Sequence, residues 1–207
     1  NSINIPPMGM HLYILFFILV STNIEARPIS YSGGSTLMMF SDNMKDSLYY
    51  HYSPSYKYSV GIENLKDKNL RDNYSYLRFT YLINRKNSLH SQRNLYFQSG
   101  LSSKSGNDLF YGIHGDWETR RWFLGFDTKK VENRLKSYNQ NHVQIGFAPY
   151  LGEYGDIHTW LMLKTKKTSI KDKRSSYPVL KFFKGNTLLE FGYNNKTDWD
   201  IHLMYRF

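Results

Sequence analysis

From residue 35 to residue 207, apolar and polar residues alternate with a period of two in segment after segment, and no stripe of helical period interrupts them. The clearest stretch is YKYSVGIE at 56–63, where Tyr56, Tyr58, Val60 and Ile62 share one parity and Lys57, Ser59, Gly61 and Glu63 the other. Successive side chains on a strand point to opposite faces, so this pattern predicts an all-β fold. Clusters of Gly, Asn, Asp, Ser and Lys divide it into about twelve candidate strands, ten being the next choice. They lie at 35–42, 46–53, 56–63, 74–84, 94–102, 108–118, 120–128, 141–151, 157–167, 176–184, 187–194 and 199–207. The stretch NLYFQSG (94–100) belongs to this series, with Leu95, Phe97 and Leu101 opposite Asn94, Tyr96 and Gln98.

The charges separate by parity, and this selects the solvent. One face carries Leu77, Phe79, Tyr81 and Ile83; Leu109, Tyr111, Ile113 and Trp117; Trp122, Leu124 and Phe126; and Val143, Ile145, Phe147, Pro149 and Leu151. The other carries Lys57, Glu63, Arg78, Asp116, Glu118, Arg121, Asp127, Lys164, Asp200 and Arg206. A Lys or Arg facing lipid at the midplane costs about 2–4 kcal/mol, so only the uncharged face suits hydrocarbon. About twelve strands would also enclose an interior too wide to fill with apolar side chains alone. The expectation is a closed antiparallel transmembrane β-barrel with its apolar face outward, since closure leaves no backbone group unpaired in lipid. The tenth strand fits least well, because YPVLKFFK places Lys181 with Val179 and Phe183 and leaves Leu180 and Phe182 for lipid.

The connections are expected to be short on the rim shared with the N-terminus, at 53–55, 118–120, 152–156 and 184–187, with 84–93 as a longer exception. Longer polar loops are expected on the opposite rim, at 63–73, 102–107, 129–141 and 167–176, with a short last one at 194–198. That asymmetry is the one outer-membrane barrels show.

The N-terminal region points to export. LYILFFILV at 12–20 is an apolar run of nine, short of the roughly 20 residues of a spanning helix. It reads as the core of a signal peptide with cleavage after Ala26. The expected division is 1–26 as upstream residues and signal peptide, 27–34 as an N-terminal segment and 35–207 as barrel. The chain has no Cys, so disulfides hold nothing.

Two resemblances sharpen this reading. The stripe Trp199, Ile201, Leu203, Tyr205 and Phe207 resembles the C-terminal signal of Gram-negative outer-membrane β-barrel proteins, in which alternating apolar residues ending in an aromatic are read by the barrel-insertion machinery. The signal usually includes a Gly, and here the nearest is Gly192 on the preceding strand. The stretches DWETRRWFLGF (116–126) and APYLGEYGDIHTWLML (148–163) are similar to an uncharacterised group of small exported barrels encoded among metal-tolerance genes. The resemblances imply an outer-membrane location and service in the envelope's response to metal ions.

Candidate sites are few. His51, His114, His142, His158 and His202 share the inward parity, as do Met162 and Met204, and Met38, Met39 and Met44 lie near the first strand. Imidazole and thioether are ligands for copper or zinc, but an inward face must be polar in any case, and no HxH or HxxH pair fixes two ligands together. HYS at 51–53 resembles the His-x-Ser of outer-membrane lipid hydrolases, although Pro54 stands where that family has Asn, and the parity turns His51 and Ser53 inward.

With 27 Lys and Arg against 17 Asp and Glu, the chain is basic. The excess gathers in the expected loops at Lys66, Lys68 and Arg71; at Lys129, Lys130, Arg134 and Lys136; and at Lys166, Lys167, Lys171, Lys173 and Arg174. Such loops suit the phosphates of lipopolysaccharide, whereas a chain bound for the outer membrane meets no nucleic acid. The sequence calls for no cofactor. The leading expectation is a non-enzymatic outer-membrane barrel, structural or a narrow or plugged channel. A lipid-modifying or lipid-hydrolysing enzyme and a soluble periplasmic ligand-binding barrel are the alternatives.

Overall fold

The computed structural model describes residues 28–207, apart from 70, 106–107, 135, 154, 171–172 and 196–197. The expected signal peptide and its cleavage site therefore lie outside the described residues. Twelve antiparallel strands, β1 (Gly34–Ser41), β2 (Lys45–Ser55), β3 (Tyr58–Asp67), β4 (Asp72–Asn87), β5 (Ser91–Ser102), β6 (Leu109–Thr119), β7 (Trp122–Glu132), β8 (Tyr138–Phe147), β9 (His158–Thr168), β10 (Lys173–Lys184), β11 (Thr187–Asn194) and β12 (Asp198–Arg206), follow one another around a closed barrel. Each strand pairs with its neighbours in sequence, and β12 returns to β1, with Thr36 opposite Arg206 and Ser41 opposite Ile201.

Parity holds around the circuit apart from register shifts between Tyr52 and Ser55 on β2 and between Leu82 and Asn84 on β4. One outward row runs Trp122, Phe147, Leu161, Leu180, Phe191 and Ile201 from β7 to β12. Another runs Tyr50, Ile62, Leu77, Leu101 and Leu109 from β2 to β6. Leu77 is 62% exposed and Ile145 49%, values out of place on a water-facing surface but expected for side chains that meet lipid. Aromatic side chains close the band near the rim that holds Gly34 and Phe207. Trp122 packs against Phe147 at 5.0 Å, and Phe207 lies 6.0 Å from Tyr205 and 6.3 Å from Tyr50.

The loops differ from the sequence expectation. On the rim away from Gly34 the strands run on: β3 and β4 leave only 68–71 between them, β7 and β8 only 133–137, and β9 and β10 only 169–172. The polar residues of the expected loops at 63–73, 129–141 and 167–176 sit largely on strand ends that project past the apolar band, where alternation no longer demands oil outside. The longer exception at 84–93 shrinks to 88–90 in the same way. The ten-residue connection 148–157 lies instead on the Gly34 rim, because β8 ends at Phe147 and leaves Pro149 and Leu151 beyond the sheet. Lys57 and Arg121, expected inside, are exposed in the β2–β3 and β6–β7 turns, where parity no longer governs direction.

Candidate functional site: the barrel interior

Inward side chains fill the barrel. Arg78 on β4 donates from Nη1 to Glu63 Oε2 on β3 at 2.9 Å and from Nη2 to Gln98 Oε1 on β5 at 3.2 Å. Its guanidinium also lies over the Tyr49 ring of β2 at 4.1 Å and the Phe110 ring of β6 at 5.2 Å, so one side chain ties five strands together. Lys45 Nζ approaches the other Glu63 oxygen at 3.3 Å. Gln98 passes the chain on to Asp127 at 2.5 Å, which Lys129 faces at 3.6 Å.

A second network holds the β9–β12 side. Asp200 accepts from Lys164 at 3.1 Å, from Lys166 at 2.8 Å and from the Tyr177 hydroxyl. Lys166 reaches the β1–β2 turn, where its ammonium lies 2.6 Å from Asp42. Lys181, the residue that weakened the tenth strand as a lipid-facing element, points inward, 3.7 Å from Glu190 and 4.5 Å from the Phe123 ring centre. Buried cations thus stand beside buried anions, the condition under which charge tolerates removal from water.

Apolar clusters occupy the remaining space. Phe123, Trp160, Met162, Tyr177 and Val179 pack together on the β7–β10 side, and Met38, Tyr49, Leu188 and Met204 across β1, β2, β11 and β12. At the mouth away from Gly34, Tyr138 of β8 donates across the barrel to Asp67 of β3 at 3.3 Å. A pocket of about 30 Å³ lies beside it, among Tyr74, Tyr76, Tyr138 and Lys129.

The opposite mouth is stopped by the chain itself. Before β1, Ile29 inserts against Leu82 and Tyr96 and is 3% exposed. Ser59 Oγ donates to the Pro28 carbonyl at 3.0 Å, and the Ser30 N–H donates to Ser53 Oγ at 2.9 Å. Sequence reading assigned no role to 27–34. Ile29 is an isolated apolar residue in a polar segment, and no periodic signal marks it.

The five histidines all lie on inward parity, and two of them, His114 and His142, meet at Asp127. His114 lies 3.7 Å and His142 3.9 Å from Asp127, and His114 also lies 3.8 Å from Asp116. His202 faces Glu190 at 3.6 Å and stacks on Phe40. His51 is wholly buried beside Tyr49, and His158 opens β9 opposite Phe183. Among the described residues no three His, Asp or Glu side chains converge as a metal site. Ser53 is also fully buried, and its hydroxyl is engaged with Ser30 rather than His51, so the hydrolase pair has neither an activated nucleophile nor contact with lipid. The side chains of the C-terminal stripe, Trp199, Ile201, Leu203, Tyr205 and Phe207, face outward around β12.

This architecture has solved counterparts. No known protein family matches the chain, and no curated protein does. Two solved structures match its shape: a KdgM porin in complex with disordered oligogalacturonate, at TM-score 0.54, and a KdgM porin, at TM-score 0.51. Each is 14% identical, and each alignment covers 84% of this chain and 99% of the porin. The chain shares the barrel fold of these porins. At this identity the likeness extends to strand number, closure and order, and the contents of the interior belong to this sequence.

Proposed function

We propose that the chain is a non-enzymatic outer-membrane β-barrel, sealed to solutes at rest, whose ion-paired interior makes it a structural barrel or plugged channel. The observation that carries this reading is the pair of contacts between non-neighbouring strands, Tyr138 of β8 to Asp67 of β3 and Lys166 of β9 to Asp42 of the β1–β2 turn, which cross the space an open channel would need, with the Arg78 hub crowding the wall from β2 to β6. The porin neighbours and the uncharged outer band support the location. In this reading the protein is exported by the signal at 1–26, and the stripe from Trp199 to Phe207 is read by the insertion machinery. Service in the response to metal ions rests on the resemblance to barrels encoded among metal-tolerance genes.

One of the two porins was solved in complex with disordered oligogalacturonate, a carboxylated sugar chain. A path for such a polyanion calls for cations left open to it, whereas Lys45, Arg78, Lys129, Lys164, Lys166 and Lys181 each face a carboxylate here. The test is conductance in planar bilayers. The refolded protein, verified by heat-modifiable gel mobility, is expected to leave the bilayer silent; steady ohmic steps from the unaltered chain would overturn the sealed reading. Growth of a deletion strain on copper or zinc tests the metal link, and unchanged tolerance would remove it.

A further inference from the structure

Resting on the outer-membrane reading, in which the Gly34 rim faces the periplasm, the β4–β5 hairpin stands out from that rim. β4 runs for 16 residues, and its last stretch, 83–87, passes the end of β3. The β3 register ends with Tyr58 opposite Tyr81, and the last backbone bond on that side runs from the Leu82 N–H to the Lys57 carbonyl at 2.7 Å. Beyond it, among the described residues, 83–87 pairs with β5 alone, Arg85 opposite Asn94 and Asn87 opposite Gln92. That stretch spans roughly 17 Å of strand, and the backbone edge it turns towards β3 has no described strand beside it.

The open edge is cationic. Lys86 and Arg93 lie directly opposite each other on β4 and β5, both are exposed, and neither makes an ion pair among the described residues. Like charges so placed repel, and an anion brought from outside would relieve them. Lys57, in the β2–β3 turn at the foot of the edge, is exposed too, its ammonium 5.9 Å from the Tyr56 ring centre. From 83 to 93 the hairpin holds no Asp or Glu, and at its tip Leu89 is 90% exposed. Open edges are commonly guarded by lysines and bulges, and β4 has both, in Lys86 and in the register shift between Leu82 and Asn84. A guard of this sign is selective: it repels a basic strand, the same edge of a second copy included, and admits one that carries carboxylates.

We infer that the edge of 83–87 takes up an extended acidic segment of a periplasmic protein as an added strand, its backbone bonded to β4, its carboxylates on Lys86 and Lys57 in the field of Arg93, and an apolar side chain against Leu89. A surface of lipid phosphates would satisfy the cations but leaves the backbone groups of the edge without a matching ladder, so a polypeptide fits both features.

The test measures fluorescence anisotropy of a labelled, acetylated octapeptide of alternating Glu and Val against the refolded full chain in neutral detergent. The unaltered chain is expected to bind it, more weakly as salt is raised, and Lys86→Glu/Arg93→Glu is expected to bind it about tenfold or more weakly while gaining affinity for the peptide of alternating Lys and Val. Absence of binding by the unaltered chain would overturn the site. The acidic peptide with every backbone nitrogen methylated keeps its charges and loses its donors; equal binding of that form would reduce the effect to charge and overturn the added strand. Full displacement of the acidic peptide by phosphatidylglycerol would assign the cations to lipid and overturn the protein partner. A chain that sediments as a dimer without peptide, and as a monomer with it, would give the edge to a second copy instead. Heat-modifiable mobility of each variant shows that the barrel has formed, so failure here is distinguishable from failure of the sealed-barrel reading, which conductance reports.

Discussion

Ser35 and Phe207 exchange both backbone hydrogen bonds, the Ser35 N–H donating to the Phe207 carbonyl at 2.8 Å and the Phe207 N–H to the Ser35 carbonyl at 3.0 Å. This pair extends the seam between β1 and β12, where six register pairs from Thr36 to Ser41 close the sheet; the β9–β10 pairing runs to eleven. A seam this short gains a large share of its hold from its last pair. In hydrocarbon an unpaired edge is costly, so the barrel has no stable half-closed form.

Removing Phe207 is therefore expected to cost about 1–3 kcal/mol through two lost hydrogen bonds, read as a lower urea midpoint of the refolded barrel. Phe207→Ala keeps both backbone bonds and loses only the ring contacts with Tyr205 and Tyr50, so its cost is expected to be smaller. Equal effects would place the contribution in the ring and not in the seam.

The outward rows make a second expectation. Ile145 lies between Leu124 and Leu163, and Leu203 between Leu189 and Met39. Ile145→Arg or Leu203→Arg is expected to destabilise the barrel in vesicles by about 2–4 kcal/mol, measured by denaturant-dependent tryptophan fluorescence. An exposed Thr128→Arg, on the polar side of the boundary, is expected to cost far less. If all three substitutions behaved alike, the band would not be facing lipid.

These positions also show how much was legible in advance. Strand number, closure and the facing of Leu77 or Ile145 follow from alternation, because a period of two leaves each residue one of two sides. What alternation cannot reach is which inward groups touch across the barrel. Arg78 and Glu63 are both inward by parity, but their pairing depends on the register of β3 against β4, which puts Gly61 opposite Arg78. Alternation overstates the long loops because polar outward residues such as Asn64, Asn73 and Asn139 look like loop where they are strand standing clear of lipid. The scattered histidines share a side for the same reason that any polar residue does, and parity says nothing of their height along the barrel.

The Arg78–Glu63 pair leads to a double-variant expectation. Arg78→Met leaves Glu63 buried with Lys45 as its remaining cation and strips the cover from Tyr49 and Phe110. It is expected to cost about 3–5 kcal/mol, as breaking a buried pair from one side does. Combining it with Glu63→Leu is expected to recover part of that loss, since no unmatched carboxylate then remains. The cycle is measured by urea unfolding of the four proteins. Simple additivity would mean that the two groups are not coupled.

Asp42 supplies the pH dependence. It lies in the β1–β2 turn outside the spanning strands, with Oδ1 accepting the N–H groups of Met44 and Lys45 at 2.8 Å each and Oδ2 accepting from Lys166 at 2.6 Å. Burial pushes its carboxyl up, but the Lys166 ammonium and these hydrogen bonds outweigh burial and hold it below the usual carboxylate range. A carboxylate whose folded value is depressed stabilises the fold above its unfolded value, about 3.9, and that contribution drains away as pH falls through the folded value, because the unfolded chain binds the proton first. The urea midpoint is therefore expected to fall as pH is lowered from about 5 towards 3, and Asp42→Asn is expected to flatten part of that slope. At pH 7 the same variant is expected to be less stable by about 1.5–3 kcal/mol, since the charge-assisted bond to Lys166 is lost while the turn bonds to Met44 and Lys45 can be kept by the amide oxygen. An Asp42→Asn protein with the unaltered acid slope would mean that the carboxylate in this turn contributes nothing to the pH response, and that other buried acids, Asp200 foremost, carry it.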